Sequence, residues 1–498
     1  AAGSYVIDLA QPNGRVAKAL LEIETPQDKE FVARQEEKRA RNELRGENVE
    51  KEDYEFYDIT AWALPLTFGV EAYWTAEPVA VEGELLQAPP RPAVPPLKKA
   101  NTAYVFTPET EGALRLALQL LGEGYRLATA VRPLNAGGEN LMRGALIARV
   151  ERNPASLHTR LATLAAEQGV TVRAIDTAFA DAGITGVGSE STFTLKAPKV
   201  AVLAGEPVRP ASYGSLRYLF EKDYGVDYVP LTAEALTSRR LADFNVIVLP
   251  SGSANGYARA IGDGGVARLK AWVEDGGTLV CIAGAAEWAA DEKVKFTEAK
   301  LVGRDKKKDH DGDEEDEEDE ANELDTAPSD SPAGAPEAQS ENDKPAETDA
   351  PANSDVKPKD AKKSSRPKEP LPVPGAIFKA KVNHDHFITF GYEDDVLPLL
   401  VNTDVFFKKT KTGSNVLTFE GGDLHLSGFV WKNNTEELLR KTAAVIDEPL
   451  GQGHVVLFAD EPGYRQVWHA TTRLLINSLL YAPALQGEFN SYFARERK

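Results

Sequence analysis

The sequence contains little sulfur: one cysteine, Cys281, and one methionine, Met142, in 498 residues. A single cysteine excludes an intramolecular disulfide framework and a cysteine-rich zinc site. The sequence also lacks any apolar run of about 18 residues, which excludes a membrane-spanning helix. Its first residues, AAGSYVIDLAQ, have neither a basic start nor a long apolar run, so they do not predict a signal peptide.

The charge is unevenly distributed. The formal net charge is −20, and nucleic acid is a poor partner for such a chain because phosphate binding needs clustered Lys and Arg. Much of the acidity lies in residues 304–372, which are rich in Asp, Glu, Pro, Ala, Ser and Lys. A segment with so few large apolar residues does not offset its ordering entropy, so disorder is predicted there.

The length favours about three domains. A Pro-rich stretch and the acidic segment are the clearest boundaries, and the strand and helix patterns supply the rest. The predicted parts are a helical, aromatic-rich docking segment (1–84), a linker (85–99), a small α/β domain (100–196), the first part of a second α/β domain (197–303), the acidic insertion (304–372), the second part of that domain (373–485) and a tail (486–498).

The second α/β domain shows short, uniformly apolar strands that alternate with helices. This pattern predicts a parallel sheet covered on both faces. A sheet that stopped at Gly284 would leave an open edge, so the strand-like segments after residue 373 are expected to join the same sheet. A final helix is predicted over residues 464–481, where apolar residues recur at helical spacing.

Several segments together resemble the C-terminal region of large bacterial zinc carboxypeptidase-like proteins of the carboxypeptidase A type. They cover nearly all of the chain outside the acidic insertion, in the family's order. Within this resemblance, the last domain is similar to the class I glutamine amidotransferase-like fold, a flavodoxin-like α/β sandwich. The matching segments are YDITAWALPLTFGV (57–70), GITGVGSESTFTLKAPKVAVLAG (183–205), YGSLRYLFE, VIVLPSG, WVEDGGTLVCIAGAA, HLSGFV and GQGHVVLFADEPGYRQVWHATTRLLINSLL.

The resemblance implies an accessory region of a proteolytic system rather than its catalyst. The family's peptidase holds zinc through a His and a Glu three residues apart, and none of the seven histidines here has a Glu at that spacing. No cofactor is therefore expected in this chain, and zinc is expected only in a separate or upstream peptidase domain. That domain is the implied partner, with self-association as the alternative. The implied location is periplasmic or secreted, and a cytoplasmic one stays open.

Cys281 is the candidate nucleophile of an amidase or peptidase. In the amidotransferase-like pattern the thiol lies at a turn two residues before a Gly, and here that position is Ile282. Cys281 lies one residue earlier, inside the apolar run, which favours a structural cysteine and a degenerate, pseudoenzyme domain.

A ligand-binding module is the alternative to an accessory role. Ligands of open α/β sheets bind at the carboxyl ends of the strands, although serines at such positions are often only helix caps. The predicted crevice residues are Ser212, Tyr213, Ser251, Ser253, Glu287, Arg465 and His469.

Two further sets of residues are candidates for binding. His384 and His386, two residues apart, are weak metal-ligand candidates if they lie on one face of a strand. The aromatic stretch after residue 56 is too apolar to stand alone in water, so it docks on a partner or covers a face of its own chain. The predicted interface residues are Tyr57, Trp62, Leu64, Phe68, Tyr73 and Trp74.

Overall fold

The computed structural model describes residues 4–45, 49–77, 79, 83–90, 93–183, 185–304 and 369–485. Most of the predicted acidic insertion and the whole predicted tail lie outside these residues. No helix in these ranges is both long and apolar enough to cross a membrane.

The N-terminal part carries three helices, and the segment between the second and third lies extended on the body of the protein. The Asp28 side chain caps the second helix by accepting from the backbone N–H of Glu30 and Phe31. The third helix ends at Gly69 in the left-handed conformation. The helices are α1 (Gly14–Leu21), α2 (Lys29–Leu44) and α3 (Leu64–Phe68).

The small α/β domain contains a five-stranded sheet whose paired strands are all antiparallel, in the order β6-β1-β5-β2-β7. Two helices cover it with leucine-rich faces. The elements are β1 (Ala103–Phe106), α4 (Glu111–Gly122), β2 (Ala128–Ala130), β3 (Leu134–Ala136), β4 (Glu139–Leu141), β5 (Leu146–Arg149), α5 (Leu157–Gln168), β6 (Arg173–Ile175) and β7 (Thr192–Thr194), with β3 and β4 forming a separate hairpin.

The second domain is built on an 11-stranded mixed sheet. Its elements up to residue 304 are β8 (Val200–Leu203), α6 (Pro210–Tyr218), β9 (Tyr228–Leu231), α7 (Ala233–Ser238), β10 (Val246–Leu249), α8 (Ala254–Glu274), β11 (Thr278–Ile282) and α9 (Gly284–Ala289). After residue 369 follow β12 (Ala376–Val382), β13 (Val396–Val401), β14 (Phe407–Lys408), β15 (Ser414–Thr418), β16 (His425–Ser427), α10 (Thr435–Leu439), β17 (Thr442–Leu450), β18 (Gly453–Phe458) and α11 (Thr472–Leu480).

Five strands of this sheet form its parallel half, in the order β9-β8-β10-β11-β18. Numbered along the chain, this order is 2-1-3-4-5, the arrangement of flavodoxin-like folds. The prediction of a flavodoxin-like domain that continues after the acidic segment is therefore confirmed, because β18 closes the edge of β11.

The other half of the sheet is antiparallel, whereas the sequence predicted a parallel sheet. β17 turns through Gly451 into β18, and the two strands pair antiparallel. β15, β12 and β13 then extend the sheet beyond β17, each in an antiparallel pair with its neighbour. Residues 451 and 452 form a hairpin turn, which joins only antiparallel neighbours. The predicted final helix also begins later, at Thr472, because Arg465 and Gln466 have positive φ angles that interrupt a helix.

A buried network of two histidines and one aspartate joins three parts of this domain. His454 on β18 places Nδ1 3.0 Å from Asp447 Oδ2 and Nε2 3.2 Å from the Leu485 carbonyl oxygen. Both partners are acceptors, so both ring nitrogens carry hydrogen and the imidazole is a cation. The His386 Nε2 lies 3.1 Å from Asp447 Oδ2, and its Nδ1 accepts from the Ile388 N–H.

In this network, attraction between the charged groups outweighs the effect of burial on the pKa values of Asp447 and His454. Burial would raise the pKa of Asp447, but the two imidazoles hold the pKa of that carboxyl well below its usual range. Burial likewise opposes the charge of His454, yet Asp447 and the Leu485 carbonyl raise the pKa of the imidazole above 6.5. His454 therefore stabilises the fold fully below about pH 6.5 and loses that contribution as the pH rises through its folded-state pKa. Asp447 stabilises it above about pH 3.8 and less in stronger acid.

The wild type should lose stability as the pH rises and His454 gives up its proton. We expect the substitution His454→Asn to remove this dependence on pH. Near pH 6 the variant should lose about 3 kcal/mol, because the buried Asp447 carboxylate loses one of its two imidazole partners and keeps only His386. Urea denaturation between pH 5 and 9 should show the wild type weakening at high pH and the variant unchanged. His158→Asn is the control, since His158 is only partly buried and bonds to Tyr104; a loss of the alkaline slope in the control would contradict the assignment.

Candidate ligand site at the strand ends

The carboxyl ends of the parallel strands bring four loops to one edge of the sheet. Three of these loops pack backbone against backbone. A Cβ atom at Gly284 would collide with the Gly252 carbonyl oxygen, and one at Gly252 would collide with the Pro207 carbonyl. Gly252 also forms an antiparallel bridge with Val208. Glycine is required at both positions because the loops after β8, β10 and β11 touch through their main chains.

Ala283 forms the sharp turn between β11 and α9. Its backbone angles are φ 48° and ψ −113°, a conformation that costs a residue with a Cβ about 1–3 kcal/mol. A strained strand-to-helix turn of this type presents the nucleophile in hydrolases. Here the turn residue carries only a methyl group, and it lies one residue after Ile282, the position that the sequence pattern had favoured.

Cys281 is a core residue of β11. It has no exposed surface and lies in register between Leu249 of β10 and Leu457 of β18. Burial raises the pKa of the thiol, so it stays protonated at neutral pH. A protonated, enclosed thiol is a poor nucleophile.

Two carboxyl groups that the sequence analysis did not single out follow β18. Asp460 accepts from the Asn402 N–H at 2.9 Å and from the Thr403 hydroxyl at 3.3 Å. Burial raises its pKa well above the usual range, and the neighbouring Glu461 adds to this effect. Burial also raises the pKa of Glu461, although a hydrogen bond from Ser212 acts to lower it. The signal in the sequence was the acidic pair directly after an apolar strand.

Three predicted crevice residues lie close to this pair. The Ser212 hydroxyl accepts from the Ser251 N–H at 3.0 Å and bonds to Glu461. Arg465 lies near Glu461 but forms an ion pair with Asp58 at 2.8 Å. The carboxyl pair, Ser212 and Ser251 thus form a connected polar group with both hydrogen-bond donors and acceptors.

The other predicted crevice residues have different partners. Ser253 caps α8 by accepting from the Gly256 N–H, and the Tyr213 hydroxyl lies 3.4 Å from that of Tyr228. Glu287 forms an ion pair with Arg304.

His469 lies outside the strand-end loops. Its Nδ1 is 3.4 Å from Glu111 Oε1, in the small domain, and its ring stacks on Phe68 with centroids 4.6 Å apart. The Glu111 side chain raises the pKa of His469.

The two metal-ligand candidates do not converge. His386 is buried against Asp447, whereas His384 is partly exposed and lies 3.1 Å from Asp395. Within the described ranges, no group of three or more His, Cys, Asp or Glu side chains is arranged to hold a metal ion.

The aromatic segment both covers its own chain and remains exposed. Ile59, Ala61 and Ala63 are buried against Ile377 and Trp468 of the large sheet's domain. Of the residues predicted for the interface, Trp62 lies between these buried positions and the other five flank them. Exposed fractions are 102% for Tyr57, 37% for Trp62, 51% for Phe68, 86% for Tyr73 and 45% for Trp74, and Leu64 is half-buried.

Comparison with known proteins yields only distant structural similarity. No protein-family model matches the sequence, and no curated protein matches it. Among solved structures, a cytoplasmic protein from Salmonella typhimurium has 12% identity and a TM-score of 0.30, covering 56% of this chain and 97% of its own. A ThuA-like protein from Bacteroides uniformis has 11% identity and a TM-score of 0.30, covering 56% and 89%. A β-galactosidase from Bacillus circulans has 10% identity and a TM-score of 0.27, covering 57% and 32%. The strand order, rather than these similarities, defines the flavodoxin-like half of the large sheet.

We expect Cys281 to resist iodoacetamide in the folded protein at neutral pH. The thiol is enclosed and protonated, so alkylation requires unfolding. Mass spectrometry should find no adduct until urea passes the unfolding midpoint, and free cysteine in the same tube is the control for reagent activity. An adduct on folded protein would contradict the assignment of Cys281 to the core.

Ala283→Gly should stabilise the protein by about 1 kcal/mol. Glycine removes a backbone strain of about 1–3 kcal/mol and adds about 0.5–1 kcal/mol of unfolded-state entropy. Ala285→Gly, in the following helix, is the matched control and should destabilise by about 1 kcal/mol. Urea midpoints of both variants test the difference; equal destabilisation would show that the turn is unstrained.

Proposed function

We propose that this chain is a non-catalytic accessory portion of a zinc carboxypeptidase-like system, built on a degenerate amidotransferase-like domain. The observation that carries the proposal is Ala283, which occupies the strained turn where a catalytic relative would carry its nucleophile. A methyl group does not attack a carbonyl. The single thiol nearby, Cys281, is buried in the strand.

The proposed docking surface consists of Tyr57, Trp62, Phe68, Tyr73 and Trp74. These side chains are exposed, whereas Ile59, Ala61 and Ala63 of the same segment pack on the large sheet's domain. Aromatic residues are enriched at protein interfaces and supply much of the binding energy there. Their number in one short segment supports an interaction role.

The proposed partner is the zinc-bearing peptidase domain of the carboxypeptidase A type that the sequence resemblance implies. Zinc would then belong to that partner, and a periplasmic or secreted location would follow from the same resemblance. Self-association through this surface is the alternative.

A second candidate function, ligand binding at the strand ends, is favoured by one observation. Asp460 and Glu461 are two adjacent carboxyl groups with pKa values raised by burial, bonded to Thr403 and Ser212 at the edge where open α/β sheets bind ligands. Such groups suit recognition of a polar, uncharged ligand rather than an anion.

The test is native mass spectrometry with zinc analysis on protein taken from its source. We expect the chain to travel with a zinc-bearing peptidase polypeptide. The double variant Tyr57→Ser/Tyr73→Ser should weaken that complex by about 30-fold or more, the effect of losing a binding hot spot. Both side chains are almost fully exposed, so stability should not change.

Phe179→Ser is the matched control, because Phe179 is 82% exposed and lies in the small α/β domain. A complex weakened equally by both changes would argue against the proposed surface. A zinc-free dimer that the double variant dissociates would indicate self-association. A zinc-free monomer would remove the accessory proposal and leave ligand binding at the strand ends.

A further inference from the structure

A second cleft lies away from the strand ends, where the small domain, α3 and the start of α11 meet. Its volume is about 340 Å³, within the usual range for small-molecule sites of about 300–1,000 Å³. Phe68, Tyr224, Tyr392 and Leu397 supply aromatic and aliphatic walls. The cleft is therefore large enough to hold a small organic ligand, and part of its wall is apolar.

One ion pair in the cleft is already satisfied by the protein. His469 pairs with Glu111, its ring also bonds to the Gln466 carbonyl, and Phe68 stacks on one face. Glu111 in turn pairs with Arg115 at 3.1 Å. These groups fix the wall and leave little bonding capacity for a ligand.

Arg473 differs because no carboxylate in the described part of the chain forms an ion pair with it, although its charge helps to lower the pKa of Glu111 from a longer distance. Its guanidinium donates to the backbone carbonyls of Gly391 and Glu109 and lies 4.8 Å above the centroid of the Tyr392 ring. Its Nε has no hydrogen-bond partner. Glu111 already pairs with Arg115 and His469, so among the described residues Arg473 is the cation of this cleft that no carboxylate contacts directly.

The rim of the same cleft carries negative charges that are not balanced by ion pairs. Glu109, Glu393 and Asp394 are exposed, and none of these three carboxylates pairs with a cation from the described part of the chain. Unbalanced charges of both signs thus line one cleft without meeting each other. A ligand that carries both charges would balance them.

We propose that this cleft binds a small zwitterion with an apolar body, the chemistry of a free α-amino acid with an aliphatic or aromatic side chain. The carboxylate is directed to Arg473, the ammonium group to the carboxylates of the rim, and the side chain to the apolar wall. Guanidinium groups are well suited to carboxylates because they offer paired N–H donors. This site shares no residue with the strand-end polar group and does not depend on a peptidase partner.

The experiment is calorimetric titration of the whole chain at pH 7 with L-leucine and two analogues that each lack one charge. 3-Methylbutylamine lacks the carboxylate, and 4-methylpentanoate lacks the ammonium group. We expect leucine to bind at least about tenfold more tightly than either analogue, since each analogue leaves one unbalanced charge in the cleft.

The variant Glu393→Gln/Asp394→Asn should weaken leucine binding about tenfold with no change in melting temperature, because neither side chain has an ion-pair partner to lose. Glu167→Gln/Asp227→Asn is the matched control: it changes the net charge equally at exposed positions outside the cleft. Three results would each overturn the proposal: no binding at about 10 mM leucine, ten times the Kd of a weak site; the amine binding as tightly as leucine; or equal loss in the rim and control variants.

Discussion

The pairing of β18 with β11 is the constraint on which the rest of the second domain depends. β11 is buried along its whole length, and a buried strand needs a hydrogen-bonding neighbour on each edge, since unpaired backbone groups away from water are costly. One neighbour, β10, precedes it in the chain, and the other comes from beyond the acidic segment. β18 also starts the antiparallel half and carries His454, whose cationic ring binds both β17 and the Leu485 carbonyl. β18 therefore joins the parallel half of the sheet, the antiparallel half and the end of the described chain.

At the carboxyl ends of the parallel strands, the strained turn and the polar side chains lie on different loops. The turn after β11 keeps the strained geometry of a nucleophile-bearing turn, but Ala283 offers no reactive atom. The polar groups are instead on the loop after β18, where Asp460 and Glu461 are held by Thr403 and Ser212.

Sequence patterns predicted the layout well and the site poorly, for physical reasons. Uniformly apolar strands and helical periodicity are local signals, so the alternating strands and helices and their continuation beyond the acidic segment were predicted from the residues, whereas the flavodoxin-like fold was implied by the family resemblance. The antiparallel half was not, because strand direction depends on the turn at Gly451 rather than on the strands themselves. His469 was assigned to the strand ends because it lies in ADEPGYRQVWH, the segment that follows the last parallel strand. Its actual neighbour, Glu111, is distant in sequence, and no single-sequence pattern encodes that contact.

The alternation in the aromatic segment has a consequence for its evolution. Ile59, Ala61 and Ala63 are fixed by packing on the large sheet, whereas Tyr57 and Tyr73 touch almost nothing in this chain. Genetic drift would replace exposed tyrosines with polar residues at little cost in folding, because surface substitutions rarely change stability by more than about 0.5 kcal/mol. Homologues that keep the same association should retain the exposed aromatic residues as well as the small and aliphatic residues of the inward face, and homologues that have lost it should retain only the inward face.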